Sequence, residues 1–382
     1  MAETTGIGIR AGWQREAIVT SPTWPAAAAI AVTALLPILD VQPNDGVEKA
    51  ETGSIETGLG PTGFDVLSVM PTATVSLKAR YQGLEQLWAC ALGYMAKRIG
   101  ATVLPETLAA GVYRHLFELD ASLSTAAGWT LADGFQVGSE LLVGQRRVRR
   151  GTYAVDYQVS VWEWLSSMIQ AVTLQSEPGG TTLTVELAAY SLSRSSSVNT
   201  SATMLKLLPS TLPTLLFTDL VLRVGAYSTV TPLGSGDDVK CTSFTLRLEN
   251  TLVAMPGPRT GTAPEEYERE GVPRATVTFV VPRHTADLWQ TRWSANTLLM
   301  ADAKFTSPTE IAPGQPYKLN VYLPSCRVTT GQLNTAGPRV ASDTVALVGV
   351  VPTAAAAGFP TMVRLTPLAV ECVSGTSAHP LL

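Results

Sequence analysis

Charge is what this sequence has least of: only 15% of its 382 residues are Asp, Glu, Lys or Arg, and the net charge is −4. That balance argues against direct nucleic-acid binding, which normally shows a basic face or stripe. Histidine is scarcer still. His115, His284 and His379 are the only three, too few and too scattered for an HExxH helix or a histidine-rich metal site. The four cysteines, Cys90, Cys241, Cys326 and Cys372, lie far apart without CxxC or metal-ligand spacing. Cys90 reads as a small buried hydrophobe, and nothing points to secretion. There is no GxSxG, no phosphate-binding P-loop and no GxGxxG opening a helix. The apolar run over residues 25–39 is broken by Pro37, ended by Asp40 and preceded by no basic segment. It reads as a buried or interfacial stretch, neither a signal peptide nor a membrane span.

What is present is apolar. Hydrophobic residues make up 46% of the chain and the mean hydropathy is +0.19, which excludes a disordered chain. The composition is not that of a coiled coil, and the glycines and prolines follow no triplet period, which excludes collagen. Low charge at this apolarity predicts that much of the surface is hidden against copies of the chain or a partner. The length suits two domains of roughly 150–200 residues each.

Alternation and β-branched content predict strands over 73–80, 153–162, 181–190, 215–224, 243–248, 276–281, 317–323, 344–351 and 362–370. In 243–249, Phe244, Leu246 and Leu248 alternate with polar residues as in a half-buried antiparallel strand. Helical spacing is confined to 83–97, with Leu84, Leu87, Trp88, Ala91 and Tyr94 in phase, and to 284–304, with Leu288, Trp289 and Trp293. Residues 160–169 fit either state.

These two helices suggest an internal duplication. Ala73, Thr74 and Val75 precede the first helix; Ala275, Thr276 and Val277, 202 positions on, precede the second. Leu87 and Trp88 recur as Leu288 and Trp289, 201 positions on. Each strand follows a loop rich in Gly, Pro and Glu, 43–63 and 256–273, and the final strands 183–190 and 363–371 read as matching. The expectation is a mainly β chain of two tandem sandwich or barrel domains, each with one flanking helix: 1–195 with its long loop 40–63, a polar linker 196–210, and 211–382.

Candidate chemistry is thin. Asp237 and Asp238 form a turn signature. Glu265, Glu266, Glu268 and Glu270 are loop charge or an electrostatic contact. The cluster Arg146, Arg147, Arg149 and Arg150 reads as an exposed hairpin or interface strand, with a phosphate patch as the other reading. The eight tryptophans suit core and interface anchoring better than sugar platforms, and structural or surface roles suit the histidines. No catalytic, cofactor or metal residue is expected, and no enzyme.

Certain segments resemble a known family. Cys241 to Asn250 (CTSFTLRLEN) looks like the Glu-Asn-ended strand of tail tube proteins of long-tailed, siphovirus-like bacteriophages. Residues 84–93 (LEQLWACALG), followed by Tyr113, Arg114, His115, Leu116 and Phe117, resemble that family's helix-Gly and its next strand, and 12–16 (GWQRE) its opening strand. The resemblance implies a virion structural protein, assembled in the host cytoplasm, whose copies join edge to edge into rings. Stacked rings form a tube that conducts DNA during ejection without specific binding. Partners implied are the chain itself, a tape measure protein and tail terminator or baseplate proteins, with no cofactor and no membrane.

Tail tube subunits of this kind are often a single barrel, so a duplicated chain implies three chains per ring with pseudo-sixfold symmetry. The rival is six chains per ring, with the second half as an outer immunoglobulin-like decoration. Inter-ring contacts are expected in the two loops, at Asp45, Glu48, Glu51, Glu56, Glu265, Glu266 and Glu268, and in the arm before Gly12. Leu87, Trp88, Leu288 and Trp289 are the expected helix and interface anchors. The similarity to the long flexible-tail group favours a non-contractile tail. The alternative is a carbohydrate-binding or adhesin-type β-protein.

Overall fold

The computed structural model describes residues 9–16, 27–30, 36–52, 63–95, 98–99, 102–103, 106–119, 150–205, 212–256, 264–269, 272–284, 286–334, 341–360, 362 and 365–377. Within them the chain is mainly β, and every strand pair is antiparallel.

The chain opens with β1 (Arg10–Arg15) and β2 (Ile38–Asn44), then the hairpin β3 (Val47–Thr52) and β4 (Gly63–Val69). Strand β5 (Thr72–Lys78) leads to helix α1 (Glu85–Leu92). The short strands β6 (Gly93–Met95), β7 (Arg98–Ile99), β8 (Thr102–Val103) and β9 (Glu106–Ala109) precede β10 (Val112–Leu119). Next come β11 (Gly151–Asp156), β12 (Val161–Glu177), β13 (Gly180–Ala188), β14 (Ser191–Ser193) and the single-turn α2 (Ser201–Met204). The later part holds β15 (Leu220–Ala226), β16 (Ser243–Glu249), the hairpin β17 (Leu252–Pro256) and β18 (Pro264–Arg269), and β19 (Arg274–Val281). Helix α3 (Leu288–Ser294) is followed by β20 (Leu298–Ala312), β21 (Gln315–Asn334), β22 (Ser342–Gly349) and β23 (Ala369–Ser374).

Alternation sets the faces. Ala73, Val75 and Leu77 on β5, Phe244, Leu246 and Leu248 on β16, and Ala275, Val277 and Phe279 on β19 all point into one hydrophobic core. Strand β12 changes neighbours partway. Its beginning pairs with β11 and β14, and its end with β13 and β16. The register breaks at Leu165 and Ser166, and again at Gln170; Ser166 has φ +49°. Such bulges bend a strand enough to let it serve two sets of partners.

Strand β21 does the same 159 positions later. Its register breaks at Pro324 and Ser325 against β20 and at Thr329 against β22, and its beginning also carries β23. The pairing order repeats throughout. The path β1–β11–β12–β13–β5–β2, with β14 on the start of β12, recurs as β15–β20–β21–β22–β19–β16, with β23 on the start of β21. The hairpins β3–β4 and β17–β18 occupy the same place in each path, and so do α1 and α3. Among the described residues two strand pairings join the two parts of the chain, β12 with β16 and β10 with β23, beside an isolated bridge between Arg80 and Thr214.

Several sequence expectations are corrected. Both helices are shorter than the periodicity suggested. The first stops at Leu92, and Gly93 already opens β6. The second stops at Ser294, where Asn296 at φ +50° lets its own N–H reach the Trp293 carbonyl and that of Thr297 reach Arg292. This left-handed cap ends α3, and Leu298 and Leu299 start a strand. The described parts of both expected loops include hairpin strands, and the polar sequences VEKAET and PEEYER of β3 and β18 carry no regular apolar alternation to announce them. Residues 160–169 fall in β12 after a turn at 157–160, and 217–219 form a 3₁₀ turn before β15. Strand β22, not the final strand, corresponds to β13; β23 corresponds to β14. Between Leu205 and Leu212 the expected linker lies outside the described residues, but its earlier part carries α2.

Candidate assembly interface

The joint between the two paths is built from the strand whose sequence ends in Glu249 and Asn250. Strand β16 lies along β12 with Leu246 opposite Leu174 and Leu248 opposite Val172, all four buried. Asn250 closes its end. Its backbone N–H donates to the Gln170 carbonyl at 2.7 Å, and its side-chain amide donates to the carbonyls of Ala91 (2.9 Å) and Ile169 (3.1 Å). One amide thus ties the last turn of α1 to the second bulge of β12. On the outer face Arg247 donates to Glu249 (2.7 Å), Glu186 (3.1 Å) and Thr173 (3.3 Å). The hydrogen bond to Glu249, then the charges of Glu186 and Glu249, hold this guanidinium above its ordinary pKa.

The second joint, β10 with β23, encloses polar groups. His115 stacks on Phe117 and its Nε2 lies 2.9 Å from the Thr376 carbonyl oxygen; burial pushes its pKa down. Glu85, at the start of α1, accepts from the Gly83 N–H (2.7 Å), Ser374 Oγ (2.9 Å) and Thr376 Oγ1 (3.2 Å). These contacts staple the helix to the final strand. His284 sits between Asp343 (3.0 Å) and Asp287 (3.3 Å) before α3, and His379 lies outside the described residues.

A half-buried carboxylate supports the first bulge of β12. Glu16 accepts from the Ser166 N–H (2.7 Å), Ser166 Oγ (2.6 Å) and Thr152 Oγ1 (2.8 Å). Burial is the largest influence on it and raises its pKa despite those bonds. Sequence reasoning marked Glu16 only as part of an opening strand; its partners are some 150 positions away, beyond any local signal. The thiol of Cys326, fully buried on β21, is pushed up to about 12 by burial, so it is an inert packing group.

Of the expected anchors, Leu87, Trp88 and Trp289 are buried. Trp289 meets Phe279 edge-on with ring centroids 5.3 Å apart. Leu288 is not buried: it is 47% exposed, and Trp293 is 54% exposed. The reason is local. Helix α1 is covered by β6 and β10, whereas only residues 295–297 separate α3 from β20 and no covering strands follow it.

Of the acidic candidates, Asp45 lies in the turn between β2 and β3, and five others fall on the two hairpins. Asp45 pairs with Arg194 at the surface beside Gly46, whose φ of +63° and closeness to the Met70 carbonyl leave no room for a side chain. Glu48 and Glu51 lie on β3, and Glu265, Glu266 and Glu268 on β18. Glu56 lies outside the described residues, as do Arg146, Arg147 and Arg149. Among the described residues no group of three His, Cys, Asp or Glu could hold a metal, and no helix is long and apolar enough to cross a membrane. Neither a protein-family model nor a curated protein matches the chain.

Proposed function

We propose that this chain is a structural subunit of a bacteriophage tail tube, with two tandem barrel-like domains, three copies closing a ring and rings stacking into a conduit for DNA. One observation carries the reading. The same strand order occurs twice along the chain, and the first copy is joined to the second by dissimilar edges, the end of β12 against β16. Dissimilar edges joined head to tail generate rings or filaments, and not closed two-fold dimers. Two such units per chain turn a sixfold ring into three chains. A decoration domain hung outside a six-chain ring would need neither the repeated strand order nor α3.

Other features agree. Of the six described tryptophans, Trp13, Trp88, Trp164 and Trp289 are buried, which gives those four packing roles and not sugar-binding ones. An acidic balance suits a lumen along which phosphate must slide. On this reading the hairpins β3–β4 and β17–β18 carry the ring-to-ring contacts, and the tube's ends meet tape measure, terminator and baseplate proteins. No catalytic role is assigned. Negative-stain electron microscopy of the purified chain, with native mass spectrometry of single rings, is the test. Stacked rings of three chains are expected; six chains per ring removes the trimer, and a strictly monomeric protein removes the tube.

A further inference from the structure

The internal joint leaves an unused copy of itself on each side of the chain. We propose that the open edge of β21 beyond Val328 receives strand β2 of a second copy, pairing the chains head to tail as β16 pairs with β12 inside each one. The proposal rests on the tandem reading above, though not on the tube.

The receiving edge follows from the bulges. Because the two register breaks of β12 and β21 coincide at a spacing of 159, Ala171 to Gln175 correspond to Thr330 to Asn334. On β12 that stretch carries β16, and Leu174 is 1% exposed. On β21 the pairing with β20 ends at Arg327, and among the described residues no strand lies along that edge further on. Leu333, standing where Leu174 stands, is 40% exposed. An apolar side chain buried at one joint is bare at the other.

The donor is the counterpart of β16. Strand β2 pairs with β5 on one edge, as β16 pairs with β19, and among the described residues its other edge has no strand. Leu39 there is 57% exposed. This edge is guarded against indiscriminate pairing: the Val41 N–H is held by the Asp40 carboxylate at 2.9 Å, and Pro43 has no N–H to offer. Docking therefore requires Asp40 to release Val41, which makes the edge selective for a receiver with a matching apolar contact. The joint between chains also lacks the second seam. No strand follows α3 to play the part of β10 against the neighbour's β14, so the ring opens between chains before it opens within one.

Two variants test the edges separately: Leu39→Arg blocks the donor, and Leu333→Arg blocks the receiver. Both positions are exposed, so each variant should fold, which circular dichroism melting verifies. Sedimentation should find each variant alone as single chains. A one-to-one mixture should give a dimer and nothing larger, because only one competent pair of edges remains. Assembly of either variant alone at the wild-type level overturns the proposal, and so does a mixture that stays monomeric while both variants are folded. Normal tubes from both variants would remove the edge assignment and leave the tube reading standing. A mixed dimer, with wild-type rings that never stack, would uphold the edges and remove the tube.

Discussion

Strands β12 and β21 solve one geometric problem with different chemistry. Each must leave one set of neighbours and join another, and each does so through a two-residue break at the same relative position, Leu165 and Ser166 in one and Pro324 and Ser325 in the other. In β12 the left-handed Ser166 is held by the half-buried Glu16. In β21 Pro324 brings its own fixed φ, and among the described residues no carboxylate bonds Ser325 Oγ. The flanking backbone is alike to the hydrogen bond: Glu16 N–H donates to the Arg150 carbonyl at 3.2 Å, and Tyr227 N–H to the Leu298 carbonyl at 3.1 Å. Tyr227, which takes Glu16's place, sends its hydroxyl to the Ala354 carbonyl. The break is a property of the path, and the side chains that stabilise it are interchangeable.

The largest effect separates the filled edge from the open one. Leu246→Ala removes a fully buried side chain from the joint and should destabilise the folded chain by about 2–5 kcal/mol in denaturant titration. Leu333→Ala at the corresponding open edge should move stability of the single chain by no more than about 0.5 kcal/mol. Equal losses at the two sites would mean that β21 is already covered and the comparison fails.

Glu16 comes next. Glu16→Gln keeps one acceptor oxygen for the Ser166 and Thr152 donors and should cost about 1–3 kcal/mol near neutral pH. The pH dependence carries the sign of burial. Glu16 has its pKa raised in the folded chain above its ordinary value of 4.5, so the folded state holds this proton more tightly. Its contribution is therefore fully present below the unfolded value and is lost as pH rises through the folded one. The wild-type minus variant difference in stability should fall across that weakly acidic window and then level off. Asp302, whose pKa burial also raises, is common to both proteins and cancels. A difference that is flat with pH would show that Glu16 does not titrate on folding.

These contrasts mark what the sequence could carry. Strands with one wet and one dry face, such as β5, β16 and β19, were legible because alternation records burial directly. The repeated strand order left a trace in the sequence at Ala73 and Ala275, and at Trp88 and Trp289, which all lie in the core. Strand β20 was not, because Leu298 and Leu299 continue a helical spacing across the turn at Asn296. The hairpin arms were hidden by charge and glycine. The joint itself was half visible: Glu249 and Asn250 drew attention as a motif, but Asn250's partners at Ala91 and Ile169 come from a distant helix and a distant strand. Nothing local marks Leu333 as bare and Leu174 as covered; that difference exists only once the edges are paired.

The smallest effect asks whether charge holds the joint. Arg247 bridges β16 to Glu186 on β13, but its side chain is 42% exposed and that of Glu186 34%, so solvent screens most of the attraction. The open edge has no equivalent: β2 contains no basic residue, and Ala346 stands where Glu186 does. Arg247→Ala should therefore cost no more than about 1 kcal/mol, with the loss shrinking as salt is raised. A double-mutant cycle with Glu186→Ala, run at low and high salt, isolates the pair. If the coupling stays below about 1 kcal/mol and fades with salt, apolar burial at Leu174 and Leu246 is what binds the two paths. The edges of β2 and β21, which carry no such ion pair, then lack nothing essential for the same joint. A coupling well above that, unchanged by salt, would make the ion pair integral to the internal joint and would set the open edges apart from it.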